Sequence, residues 1–236
     1  MADTVVKFPR TPHLTWLGDR QPRGDKLLDA AEAKALLRRQ ASVEEKVDGA
    51  NLGLSIGPEG RLRAQSRGHF LEEGAEGQWK PLWRWLSLRR EALAKALGPN
   101  LILFGEWCYA EHSVSYDALP DWFLAFDIYD RPAGKFWSRE RRDHLVKALG
   151  LAAVPLLSTG VFTIEKLRKL IGRSRLGSAD SEGLYIRWDE GDWLVARAKI
   201  VQPGWVLASE EHWSARSLRT NRLVAPTPAM ASARSR

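Results

Sequence analysis

The stretch VEEKVDGANLGLS, residues 43–55, sets a lysine where an alternating strand would bury an apolar side chain. Val43 to Lys46 reads as the end of a strand, Asp48 and Gly49 as a tight turn, and NLGLSI as a resumed extended run. Alone, Lys46 fits a surface position, with its ammonium in water and its stem across an apolar neighbour. What it means depends on what the rest of the chain sets around it.

Outward from this stretch, NLGLSI and RLRAQS flank GPEG, so residues 50–66 read as a hairpin. Leucines and alanines recur at helical spacing over 25–40 and 79–98, where Gly98 is a natural stop, and again over 138–150, with Ser138 as cap, and 163–173. Further extended runs are LILFGEWCYA, WFLAFDIYD, EGLYIRW and DWLVARAKIV. The class is α+β, one continuous domain over 1–200 with antiparallel or mixed sheets and flanking helices. Residues 201–236 read as a short C-terminal extension: a weak helical stretch, SEEHWSARSLRTNRL, and a disordered tail, APTPAMASARSR. Too few residues follow Lys199 for a second domain.

Lysine and arginine total 36 against 29 acidic residues, and the formal charge of +7 favours polyanionic partners. A single cysteine, Cys108, excludes an internal disulfide and points to a reducing cytoplasm. No signal-peptide pattern opens the chain and no apolar run is long enough to cross a bilayer, so a soluble protein without a membrane partner is expected.

Charged residues stand at the ends or on the faces of the expected strands in five segments: EKVDG, QSRG, FGEW, SEGLYIR and ARAKIV. They supply Lys46, Asp48, Arg67, Glu106, Glu182, and the pair Arg197 and Lys199, which share a strand face. Buried charges persist when paired, metal-bound or holding a ligand, so the set reads as a site for an anionic substrate and a divalent cation. Taken singly, Arg67 reads as solvated, Glu106 as half of a local ion pair and Phe126 as core. His13, His69, His112, His144 and His212 lack metal-ligand spacing. Cys108 reads as a buried thiol, and Trp79, Trp83 and Trp85 as a helix face packed on a sheet.

In order, EKVDGANLG, SRG, FGEW, FLAFDIYD, EGLYIR and ARAK resemble the six motifs of the covalent nucleotidyltransferases, the superfamily of polynucleotide ligases and mRNA capping enzymes. FGEWCYAEHSVSYDALPDWFLAFDIYD, with PRTPHL near the start, is most similar to the RNA ligase 2-like branch. The resemblance implies an adenylation domain that uses ATP and Mg²⁺ or Mn²⁺. Lys46 would attack the α-phosphate and carry AMP, after neighbouring cations (Lys199, Arg197 and the metal) and desolvation lower its pKa. It further implies that Arg67 contacts nucleotide or polynucleotide phosphate, Glu106 the ribose, and that Phe126 stacks on adenine. Glu182 would hold the metal, largely through its waters. Lys199 and Arg197 would hold the α-phosphate, and Glu45 and Val47 lie near the base through their backbones, beside the motif residues Asp48 and Gly49. Arg197 departs from the family's usual lysine, and a guanidinium does not titrate at working pH.

The activity so implied is ATP-dependent sealing of RNA 3′-hydroxyl and 5′-phosphate ends. The RNA partner would be a nicked duplex, an RNA/DNA hybrid, a single strand or a broken tRNA, with end-healing enzymes beside it. A minimal DNA ligase uses the same motifs, a capping-type guanylyltransferase shares several, and a catalytically silent nucleic-acid-binding module is the reading from another class.

Overall fold

Lys46 ends the strand at the middle of an antiparallel sheet. In the computed structural model, which describes residues 4–18, 26–203 and 218–225, that strand (β1, Ala41–Lys46) lies between β8 (Leu156–Gly160) and β9 (Gly183–Glu190), with β10 (Trp193–Val201) outside β9. After the turn at Val47–Gly49 the chain enters a second sheet. Its order is β3 (Leu62–Gln65), β2 (Ala50–Ile56), β4 (Leu101–Trp107), β5 (Phe123–Asp130) and β6 (Lys135–Phe136), with β7 (Ala152–Ala153) parallel to β5. The expected 50–66 hairpin is β2–β3, closed by Gly57 N–H donating to the Arg61 carbonyl and by Gly60 at φ 72°.

Helices cover the outer faces. Helix α1 (Ala30–Leu37) begins at a reciprocal Asp29–Glu32 capping box, five residues inside the expected start. The helix expected over 79–98 is broken into a 3₁₀ turn (Gly77–Trp79), α2 (Leu82–Ser87) and α3 (Arg90–Leu97). Arg89 leaves helical geometry (φ −125°, ψ 0°), because its guanidinium reaches the Trp85 carbonyl at 3.2 Å and Asp121 at 2.9 Å. Gly98 ends α3 as anticipated. Ser138 and Thr163 cap α4 (Arg139–Ala148) and α5 (Ile164–Leu170).

Leu82, Trp85, Leu86, Leu93 and Leu97 pack with Leu52, Leu54, Leu103 and Trp107 of the six-stranded sheet, and Trp79 and Trp83 border that core. Leu36 and Leu167 pack with Val43, Leu184 and Ile186 of the other sheet. Each fully buried leucine stabilises the fold by roughly 1.5–3 kcal/mol. With helices on the outside, the two sheets share an inner, polar region at the point where the chain crosses between them.

Beyond β10, residues 204–217 and 226–236 lie outside the described residues, and with them most of the weak helical stretch, His212 and the tail. Residues 218–225 are extended rather than helical, and lie across the 108–122 connection between β4 and β5. Thr220 bridges Ala110, and Leu223 bridges Leu119. Asn221, only 3% exposed, accepts from Tyr116 N–H and donates to the carbonyls of Cys108 and Ala110.

Candidate functional site

A cavity of about 380 Å³ opens at the crossing between the sheets, a volume within the range of small-molecule sites. Lys46, Glu45, Tyr185 and Lys199 line it from the four-stranded sheet, and Asn51, Glu106 and Phe126 from the other. Val47, Asp48 and Gly49 line the crossing itself, and the exposed Arg67 stands at the rim.

Lys46 Nζ lies 2.5 Å from Glu182 Oε2. The pair is set by strand register: Gly183, the first residue of β9, stands opposite Lys46, so Glu182 arrives beside the lysine's end of β1. Gly183 must lack a side chain, because a Cβ there would come within 2.0 Å of the Ile200 carbonyl on β10. Burial pushes the Lys46 ammonium toward neutrality, but Glu182, Glu106 and Asp48 outweigh it and hold its pKa above the ordinary value. This differs from the lowering expected from the sequence, because acids and not cations dominate around Nζ. Burial raises Glu182 against the attraction of Lys46, and raises Glu106 to about 8.

Asp48 organises the turn. Its Oδ2 accepts from Ser113 N–H at 2.6 Å and Val114 N–H at 2.9 Å, and its own N–H donates to the Tyr116 hydroxyl at 2.8 Å. The 108–122 connection is thereby held between Asp48 and the 218–225 segment. Gly49 is required by close approach, since a Cβ there would lie 2.8 Å from the Trp107 carbonyl. Glu45 uses its carboxylate as well as its backbone: it accepts from Ser174 Oγ at 2.5 Å and Arg175 N–H at 2.8 Å, fixing the loop that leads to Glu182. Val47 is buried with Leu124, Val154 and Leu176.

Phe126 presents its ring to the cavity and packs edge-on against Phe8, centroids 5.0 Å apart. Its carbonyl accepts from two buried guanidiniums, Arg142 at 2.5 Å and Arg187 at 3.2 Å. Arg142 also pairs with Glu44 at 2.5 Å, and Arg187 with Asp127 at 2.9 Å, so a buried ionic network joins β1, β5, β9 and α4.

Of the two cations expected on β10, only Lys199 lines the cavity. The Arg197 guanidinium pairs with Asp127 at 3.2 Å and sits over the rings of Phe8 and Phe136 at 4.6 and 4.3 Å. An arginine on this strand can stack and pair at once, which draws it to the aromatic cluster. Sequence reasoning passed over Phe8, Thr11, Asn51 and Tyr185, which also line the cavity. Asn51 lies on β2 just past the Gly49 turn, and its Oδ1 is buried without a hydrogen-bond partner among the described residues.

No group of three or more histidine, cysteine or acidic side chains among the described residues could hold a metal ion by itself. Cys108 is buried, and burial raises its thiol pKa. Among the described residues no helix is long and apolar enough to cross a membrane.

Among solved structures, the chain is similar to the Naegleria gruberi RNA ligase. The form with PPi is 23% identical with a TM-score of 0.61, over 92% of this chain and 64% of that one. A mutant with ATP and Mn is 21% identical with a TM-score of 0.58, over 76% and 54%. Another mutant, with AMP and Mn, is 20% identical with a TM-score of 0.59, over 87% and 65%. The likeness is one of fold, and the chain spans between about half and two thirds of those ligases' length. No curated protein matches. The RNA ligase family model matches residues 39–201, from just before β1 to the last residue of β10, so every strand of both sheets lies inside it: the chain belongs to the RNA ligase family.

Proposed function

We propose that this chain is the adenylation domain of an ATP-dependent RNA ligase, and that Lys46 is its nucleophile. The observation that carries the reading is Lys46 in contact with Glu182 at the wall of a cavity that also presents Lys199, Glu106 and Phe126. A lysine held among carboxylates is protonated and inert as a nucleophile; it becomes reactive when the surrounding negative charge is offset. Among the described residues no three-acid group is assembled, and the Asp48 carboxylate is taken by loop N–H groups, so the residues suit a hydrated hard cation held at few points: the Glu182 carboxylate beside Lys46 and the unpartnered Asn51 oxygen on the cavity wall. Glu182 would hold the ion together with water, and the bound charge would lower the Lys46 pKa.

Lys46 then forms a bond from Nζ to the α-phosphorus of ATP as the bond to pyrophosphate breaks, and Glu182 is the acceptor within reach of the ammonium proton. Lys199 neutralises the phosphate, Glu106 faces the ribose and Phe126 the adenine, while Arg67 meets phosphate at the rim. Val47 and the backbone of Glu45 border the base. Arg197 acts through Asp127 rather than on the nucleotide. AMP passes to an RNA 5′-phosphate and is displaced by a 3′-hydroxyl.

The domain is taken to comprise residues 1–200. RNA repair in the cytoplasm, on nicked or broken RNA beside end-healing enzymes, is the setting this reading favours.

Incubation with labelled ATP and Mg²⁺ or Mn²⁺ is expected to label the protein, with ATP outcompeting GTP. Lys46→Ala should abolish the label and Lys46→Arg should not restore it, because a guanidinium keeps its proton. Undiminished labelling of Lys46→Ala would sink the mechanism, and a preference for GTP would favour capping chemistry.

A further inference from the structure

Residues 166–175 carry five exposed cations, Lys166, Arg168, Lys169, Arg173 and Arg175, and no acidic residue. Among the described residues, Lys166, Arg168, Lys169 and Arg175 form no close salt bridge, although Arg168 feels the neighbouring Glu165 and Arg175 the Glu45 carboxylate. Such a run is ordinarily a solvated face, and two observations separate this one from that. The first is its anchorage. Ser174 is buried, its hydroxyl and the Arg175 N–H both bond the Glu45 carboxylate, and Leu176 packs in the cluster that contains Val47. Ser178 bonds Asp117 through N–H and hydroxyl, at 3.0 and 2.6 Å, and Ala118 N–H donates to the Leu176 carbonyl. The loop backbone at Ser174–Ser178 is therefore tied down, and Lys166, Arg168 and Lys169 stand on α5, so the backbone beneath the cations needs little ordering when they meet a ligand.

The second is its position. Glu45 lines the cavity next to Lys46, and the loop runs from Arg175 to Glu182, which contacts Lys46. The cations themselves do not line the cavity; the run joins its wall through Glu45, whose carboxylate holds Ser174 and Arg175.

We infer that the face formed by residues 166–175 is the track on which the RNA strand lies as its end enters the cavity, with Lys169, Arg175 and Arg168 meeting backbone phosphates. The inference rests on the proposed ligase reading. A polyanionic strand is the partner that suits several separate, exposed cations beside the loop that carries Glu182 to Lys46, because each phosphate met by a cation releases condensed counterions.

The test uses the full chain with Arg168→Gln, Lys169→Gln and Arg175→Gln combined, and Lys95→Gln on α3, which packs against the other sheet, as a charge control. Direct binding of a fluorescent 5′-phosphorylated RNA, measured without ATP across a salt series, should weaken at least about fivefold in the triple variant. The slope of log affinity against log salt should become shallower by about 0.7–0.9 for each phosphate that the variant no longer neutralises. Lys95→Gln should match the parent, and labelling by ATP should stay within about twofold in every variant. Unchanged RNA binding, or equal weakening in the control, overturns the track. An ATP-labelling defect with RNA binding intact also overturns it, and would assign the loop to the triphosphate. Failure of the parent chain to label, with RNA binding still dependent on these cations, refutes the ligase reading and leaves the surface standing.

Discussion

Replacing Arg142 with Met tests whether the buried ionic network holds the two sheets together. Arg142 is 1% exposed and Glu44 fully buried; the guanidinium meets both Glu44 oxygens, Asp143 and the Phe126 carbonyl. Methionine fills a similar space but leaves the Glu44 carboxylate facing only Arg187, whose nearest nitrogen is 3.8 Å away. Removing one partner of a buried pair costs about 3–5 kcal/mol, most of it from the stranded charge. For a chain of this size, at about 2–4 °C per kcal/mol, the melting temperature should fall by about 6–20 °C. Glu44→Gln lifts the charge from the strand, so the double variant should recover part of the loss, with a coupling of about 1–3 kcal/mol. Urea denaturation of the parent, both singles and the double measures all four corners. A loss in Arg142→Met below about 1 kcal/mol, or strictly additive singles, would refute the reasoning, since either result means that Glu44 is satisfied without Arg142.

Other perturbations probe the cavity. Burial holds the Glu106 carboxyl up to about 8 against an ordinary 4.5, so the folded state binds more proton between these values; this group's contribution is complete below about pH 4.5 and is lost as pH rises through 8. Relative to the parent, Glu106→Gln should therefore gain stability from about pH 5 to about pH 8, and paired denaturation curves showing the reverse would contradict the assignment. Gly49→Ala brings a Cβ to 2.8 Å from the Trp107 carbonyl and 3.0 Å from Glu106 Cγ; backbone cannot swing aside, so a stability loss of about 1–3 kcal/mol is expected. Labelling by ATP should fall at least about tenfold in that variant, and a fully active, equally stable protein would show that the crossing tolerates a side chain.

The longer strands were legible because alternation and turn residues agreed, as at Gly57 to Gly60, and α4 because Ser138 stood before periodic leucines; the short β6, β7 and β8, the last of them paired with the Lys46 strand, and the α1 start at Asp29 were not. The break at Arg89 was not, since it depends on Asp121, distant in sequence. Ordered motifs indicated Lys46, Glu106, Phe126, Glu182 and Lys199, all of which meet at or beside the cavity. They could not distinguish a residue that faces the cavity from one that braces it. Glu45 and Asp48 turn their carboxylates to loop backbones, and Arg197 turns to Asp127 and two phenylalanines, because those contacts come from segments that the sequence does not place. Arg142 and Asn221 lie in no motif, and their roles emerge only when α4 and residues 218–225 are seen against the sheets.

Asn221 also bears on the order in which the protein can be completed. The Asp48 turn depends on Ser113, Val114 and Tyr116, and the segment holding Tyr116 is closed from outside by Asn221, more than a hundred residues later. As the chain leaves the ribosome, both sheets can pair once β10 has emerged, yet the connection beside the Lys46 turn is not closed from outside until residues 218–225 follow. At synthesis rates of about 5–20 residues per second, that interval lasts about a second or more. A nascent chain therefore carries its lysine before it has the finished pocket that would put it to use.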